Sequence, residues 1–335
     1  MLNKQNLIAN LVVAAGLSVT PALAETHSLR LATAAPPNTI WQQQLDQFAA
    51  DVAEETAGNV KIEVFYNSQL GAEQAVLPQV MRGRIDMGAF SVASLADQLP
   101  EAYLVSMLFF YDDVASRSCI LDTVREDYRS MLAPTGVRVL DWTEVGTGQL
   151  AGAEPFLTPD TVSGRRIGAA ANPISNAYWE KLGGFPTMTP ASEAASNLST
   201  GLIDVYPTIP VFYVFGGIAQ VAPVLTRLDY VMSPAAMVIN QGVWDNLSDE
   251  DRAGINRALA RHPSTERSAA FFAFEEAVLG MAQEKGVKIE VPTDEQRAQW
   301  SAGIEDYYDQ VLADVSDEGR AFWEKMKTAR QACTQ

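Results

Sequence analysis

The chain has 335 residues, of which 47% are hydrophobic, 19% charged and 9% aromatic, a mixture that excludes disorder, collagen-like repetition and a small disulfide scaffold. Lys plus Arg total 24 against 41 for Asp plus Glu, a formal charge of -17, so nucleic acid is excluded as a partner by charge over most of the surface. The length predicts two domains of ~150 residues each.

The amino end carries Lys4, an apolar run over 7–19 and Ala22-Leu23-Ala24 after Pro21. This predicts a secretory signal peptide, residues 1–24, cleaved after Ala24. The apolar run is too short to cross ~30 Å of hydrocarbon. The exported chain has 23 basic residues against 41 acidic ones, a balance of 23 − 41 = −18.

Behind it, 29–33 reads as a strand, 40–56 as an amphipathic helix closed at Gly58, and 60–66 as a second strand. A βαβ start of this kind implies a largely parallel sheet with helices on its faces. A helix follows over 72–83 and a short apolar strand over 85–90, ending at Ser91. Helix 116–132 then leads to strand 137–142, and strand 162–169 to helix 175–182. In the last third, Ser248 with Asp249 and Glu250 opens a helix running to Leu259. A long helix spans 264–285, with apolar Ala269, Phe272, Phe274, Val278 and Met281, and stops at Gly286. Strand 287–291 and a helical stretch over 294–331, broken near Ser316 and Gly319, complete an α/β chain in two lobes. Open α/β sheets hold ligands beyond the carboxyl ends of their strands, which here means the interlobe cleft.

Cys119 and Cys333 are the two cysteines. An oxidising compartment permits a disulfide between them, and two unpaired thiols are the other reading. There is no CxxC, no HExxH and no Cys/His cluster, and His27 and His262 stand apart. No metal, cofactor or His-based triad is expected.

Gln69-Leu70-Gly71-Ala72-Glu73, Arg82-Gly83-Arg84-Ile85-Asp86-Met87, Gly146-Thr147-Gly148-Gln149, 163–169, Ser192-Glu193, Thr200-Gly201-Leu202-Ile203-Asp204 and Val243-Trp244-Asp245-Asn246-Leu247 follow one another in order. Through them the chain resembles the extracytoplasmic solute-binding subunits of tripartite ATP-independent periplasmic (TRAP) transporters, of the dicarboxylate-receptor-like type. The resemblance implies a periplasmic protein with a mixed sheet in each lobe, an interlobe cleft and a long helix spanning both lobes. It also implies that the lobes close on one small molecule and deliver it to TRAP membrane permease subunits, with no covalent chemistry. The crossings are expected near Gly146, near Ser233 and within the long helix. Lobe I then comprises 25–145 and 234–272, and lobe II 146–233 and 273–335.

The resemblance also implies where a ligand is held, and the sequence departs from it there. The family's usual carboxylate-gripping arginine position is Gly168, with Arg166 where the family has lysine, and a second frequent arginine position is Gly148. Either the ligand is neutral, zwitterionic or cationic, or Arg166 reaches the cleft as a substitute, or Arg165 and Arg166 are ordinary surface charges. Strand ends supply Thr33, Ser91 and Ser94 as hydrogen-bonding candidates, with loop capping as their alternative role. Trp41 is a cleft wall or core residue. Trp142 with Glu144 offers an aromatic ring and a carboxylate to an ammonium group, or Glu144 orients the loop. Thr147, Asn172, Tyr206 and Thr208 complete the candidate ligand set, Asn172 having helix capping as its other reading. An exported hydrolase built on Ser192, Glu193 and Asp204, and a receptor that presents its ligand to a sensor kinase, are the competing functions.

Overall fold

The computed structural model describes residues 26–169 and 173–334. The strands in chain order are β1 His27–Thr33, β2 Val60–Phe65, β3 Met87–Ser91, β4 Val137–Thr147, β5 Gln149–Gly152, β6 Arg166–Ala169, β7 Phe185–Met188, β8 Val205–Thr208, β9 Val224–Thr226, β10 Met232–Asn240 and β11 Lys288–Glu290. They form two mixed sheets, ordered β2-β1-β3-β10-β4 and β11-β9-β5-β8-β6-β7. In the first, β1 lies parallel to β2 and β3, while β10 runs antiparallel to β3 and β4. In the second, β5 is antiparallel to β8 and β9. The fold is the two-lobed α/β architecture that the sequence implies.

Local chemistry sets the element ends. The helix Ile40–Glu55 stops because Thr56 turns its hydroxyl onto Val52 O (2.7 Å) and accepts from Val60 N–H (3.1 Å), with Gly58 at φ 82° completing the turn into β2. The helix Asp249–Arg261 starts on Ser248, whose hydroxyl accepts from Asp251 N–H at 3.0 Å. Lobe I is packed on both sheet faces. Leu31, Phe48, Val60, Met87 and Ile239 fill one side, and Val80, Phe90, Ile120, Tyr128 and Val139 the other.

Three expectations need correcting. The long helix is Ser264–Glu284, but its buried stripe is Ser264, Ser268, Phe271, Glu275, Val278, Leu279 and Ala282, while Ala269 is exposed and Met281 is 40% exposed. The 294–331 stretch is three helices, Asp294–Trp300, Ile304–Ala313 and Asp317–Cys333. One break falls at Gly303, φ 66°, and the other at Ser316. Gly319 is no break, because its N–H donates to the Ser316 hydroxyl (3.1 Å) in the last helix's first turn. That last helix does not sit with lobe II as expected for 273–335. It lies on the lobe I helix Val114–Leu132, with Phe322 5.8 Å from Tyr128 between ring centres and Arg330 2.8 Å from Asp112.

Cys119 and Cys333 are joined, their Cα atoms 5.8 Å apart across 214 residues of sequence. The bridge therefore fastens the last helix to lobe I. Loop entropy over so long a separation predicts that the Cys119→Ser/Cys333→Ser variant loses about 3–5 kcal/mol, read from denaturant midpoints with and without reductant. Equal midpoints for the variant and the oxidised parent would show that the bridge constrains nothing.

Candidate ligand cleft at the lobe junction

β4 ends at Thr147 and β5 begins at Gln149, so one residue, Gly148, carries the chain from the first sheet to the second. The return path runs through 227–231, between β9 and β10. The two crossings are stitched together, Gly148 N–H donating to Val231 O (2.7 Å) and Tyr230 N–H to Gly148 O (3.2 Å).

Two aromatic rings cover the glycines. A Cβ on Gly148 would fall 2.6 Å from Cε1 of Tyr230, and one on Gly168 would fall 2.6 Å from Cδ2 of Tyr206. Gly168 and Tyr206 sit on neighbouring strands paired parallel, with Ile167 opposite Val205, so both side chains project to one face. Trp179 meets Tyr230 edge-on at 5.3 Å. Burial raises the pKa of both phenols, that of Tyr206 to about 12. The face that a side chain at 148 or 168 would occupy is thus an aromatic one.

The cations nearby are committed. Arg117, fully buried on the Val114–Leu132 helix, meets Glu144 at 2.6 and 2.8 Å and Met232 O at 3.3 Å. Ser268 donates a further short bond to Glu144. Sequence reasoning missed Arg117 because nothing local marks a helix arginine as buried. Arg166 is exposed, its guanidinium on Asp204 at 2.6 and 3.0 Å. Trp142 lies in the core, its Nε1 on Leu121 O (3.1 Å) and its ring 4.8 Å from Tyr128.

Glu275 was also missed, although a carboxylate between Phe271 and Val278 on the long helix stands on the buried stripe by i, i+3/i+4 spacing. It is 2% exposed and accepts from Thr147 N–H (3.1 Å) and Thr147 Oγ1 (3.0 Å). Gly146, φ 140°, leaves room for it, since a Cβ there would collide with its Oε1. Burial, with Glu144 and Asp229 nearby and Thr147's donors opposing, pushes its pKa up to about 8. A cavity of about 330 Å³ opens here, lined by Thr147, Arg227, Asp229, Glu275 and Glu276 over apolar Met232 and Phe272. Arg227 is paired with Glu276 and Asp229.

On the lobe I side, Ser91 and Ser94 give their hydroxyls to Glu73 (2.6 and 3.0 Å), a carboxyl whose pKa desolvation raises. Ser91 also caps the short helix after β3. Thr33 Oγ1 accepts from Ala35 N–H at 3.2 Å. Trp41 joins the lobes, its Nε1 on Glu144 O (2.7 Å) and its ring 5.8 Å from Phe212. Thr208 is buried at the end of β8, and its hydroxyl meets Ile209 O at 3.4 Å. Asn172 lies outside the described residues.

The family model for bacterial extracellular solute-binding proteins, family 7, matches residues 31–314. The chain belongs to this family. A solute-binding protein of Chromohalobacter salexigens is 28% identical over 282 residues, 83% of this chain and 82% of its own. The ectoine-binding periplasmic protein of Halomonas elongata is 24% identical over 277 residues, 76% of each chain. A crystal structure of a TRAP periplasmic solute-binding protein from C. salexigens with bound D-glucuronate superposes with a TM-score of 0.84 at 25% identity, covering 90% of this chain and 99% of that one. This family-7 protein is therefore a TRAP solute-binding subunit, which takes a small molecule and passes it to a membrane permease.

Two outcomes follow. Arg117→Met leaves Glu144 buried and unpaired and lowers stability by about 3–5 kcal/mol. Adding Glu144→Leu recovers most of that loss in denaturant unfolding, and a double variant no better than the single overturns the pairing. Glu275's folded pKa lies above its ordinary value, so its favourable contribution is whole below the ordinary carboxylate range and is lost as pH rises toward 8. The melting-temperature advantage of Glu275→Gln over the parent should therefore grow from pH 5 to pH 8. Parallel curves would place the carboxyl in water.

Proposed function

We propose that the solute is a small polar molecule that is neutral, zwitterionic or cationic, held by aromatic faces and hydroxyls instead of by a guanidinium on a carboxylate. One observation carries this reading, the packing of Tyr206 and Tyr230 over Gly168 and Gly148. The charge arrangement supports it. Arg117 is taken by Glu144 and Arg166 by Asp204, and the junction cavity sets Asp229 and Glu276 against Arg227. An ammonium group over a tyrosine face gains ~1–2 kcal/mol when desolvated, and the ectoine-binding relative fits a ligand of this kind.

The lining we propose is Thr33, Trp41, Ser91, Ser94, Thr147, Gly168, Tyr206 and Thr208, while Trp142 and Glu144 serve as scaffold. We propose lobe I as 25–147 with 232–272 and 317–333, and lobe II as the intervening segments. The solute leaves unchanged on this reading. Glu144 is sealed by Arg117 and Asp204 is held by Arg166, which supports binding over hydrolysis at either. The exported form begins at Glu25.

A second reading, a carboxylate ligand, is favoured by the likeness to the glucuronate-bound protein. Arg166 would then have to leave Asp204, or Arg227 leave Glu276. Thermal-shift screening of ligand-stripped protein against polyols, amines, betaines, uronates and dicarboxylates separates the two, because a ligand at 100 times its Kd stabilises by ~2.7 kcal/mol. We expect amines, betaines or polyols to give the shifts, with Tyr206→Ala weakening them at least tenfold. Shifts from glucuronate or succinate, abolished by Arg166→Gln or Arg227→Gln, would establish the carboxylate.

A further inference from the structure

Lobe I contains a second concavity. A cavity of about 270 Å³ lies between the helices Ile40–Glu55, Asp249–Arg261 and Ser264–Glu284 and is floored by Trp142 and Met237. Leu45, Phe48, Ala258 and Leu259 give it apolar walls. An apolar cavity of about 150 Å³ already accepts benzene, so this one has room for an aromatic ring with a short side arm.

One buried charge faces that space. Asp51, 4% exposed, spends its Oδ1 on Gln47 Nε2 (3.0 Å) and Arg261 Nη1 (3.1 Å). Its Oδ2 has no hydrogen-bond donor among the described residues. The nearest cation-forming group is His262 Nε2 at 3.4 Å, on a side chain 45% exposed at the rim. A buried carboxylate oxygen without a donor is costly, so a donor brought by a guest is favoured there. The surrounding charge selects the donor's sign. Arg261 is shared with Glu54 and Glu55, Arg267 is bound to Asp141, and Glu266 stands at the rim.

We propose that this cavity is a second binding site for a primary amine carried on a small apolar body, its ammonium on Asp51 Oδ2 and its ring between Phe48, Ala258 and Met237. His262 is the gate, since its imidazole must turn aside for the ammonium to reach Oδ2. The site borders the first helix, which carries Trp41 to Glu144 O, and the long helix that carries Glu275. An occupant thus touches both elements that meet the crossings.

The test titrates the full exported chain with 2-phenylethylamine, with phenylacetate and ethylammonium as the charge and ring controls, following ¹³C-methyl resonances of Met237 and thermal shift. Phenylethylamine should perturb Met237 and bind at least tenfold tighter than either control. Asp51→Asn should weaken it tenfold or more, and His262→Ala should strengthen it by opening the gate. Ala258→Phe should block it, with circular dichroism checking that the fold survives, and the Asp51 and His262 variants decide the matter where it does not. Tyr206→Ala should leave it unchanged, which separates this site from the interlobe ligand. No binding at millimolar amine, equal binding of phenylacetate, or loss in Tyr206→Ala would overturn the proposal.

Discussion

Everything that passes between the lobes at the first crossing passes through Gly148. With β4 ending one residue before it and β5 starting one residue after it, the backbone there has no slack. Its N–H and C=O are both used on the second crossing, at Val231 and Tyr230. Those bonds bring Tyr230 so close that no side chain fits on residue 148, and the ring, resting edge-on against Trp179, supplies the surface in its place. The same exchange of a side chain for a neighbour's ring recurs at Gly168 with Tyr206. The glycines are therefore not vacancies awaiting a ligand. They are the condition for the close packing of Tyr206 and Tyr230.

Arginine is suited to a carboxylate because its fork binds bidentately, but only when the fork is unpaired. Arg117 is enclosed with Glu144 in a region that also holds Ser268 and the Trp41 indole, so freeing it would strand a buried carboxylate. Glu275 adds a carboxyl whose pKa burial pushes up to about 8 against the opposing donors of Thr147. An incoming anion would face Asp229 and Glu276 beside Arg227, whereas an incoming hydrogen-bond donor would meet acceptors.

Much of the fold was legible from periodicity. The βαβ start and the long helix rest on local patterns of apolar residues and caps and stand within a few residues of the expected ends, whereas β5, β7, β8, β9 and β10 were not read from the sequence. What failed was the choice of face. A helix with apolar residues nearly all round, such as 264–284, does not announce its buried side, so that Met281, expected in the core, is 40% exposed while Glu275 is buried. Pairings across the chain were illegible for the same reason. Arg117 with Glu144, Glu73 with Ser91, and Tyr206 over Gly168 join segments that only the tertiary fold brings together. Of the readings open for Arg166, a reach into the cleft or an ordinary surface charge, its pairing with Asp204 on the neighbouring segment matches the second.

The position of the last helix bears on how such a molecule closes. A tail lying across the cleft would resist every hinge motion; the disulfide to Cys119 and the Phe322–Tyr128 contact fasten this one to the helix Val114–Leu132, while its Trp323 packs on Tyr308 of the preceding helix at 5.2 Å between ring centres. The covalent staple therefore stiffens one lobe without taxing the movement between them. Two strand crossings, the long helix and the segment leading from Ala313 to Asp317 remain as connections. The bias toward the closed state must come from contacts that differ between the two states, and a ligand shifts that balance only by its differential affinity for them. Trp41 is well placed for this, because its indole spans from the first helix to Glu144 O and to Phe212 of the opposite lobe. A solute that orders that contact gains closure from packing already present in the protein, without requiring a strong charge of its own.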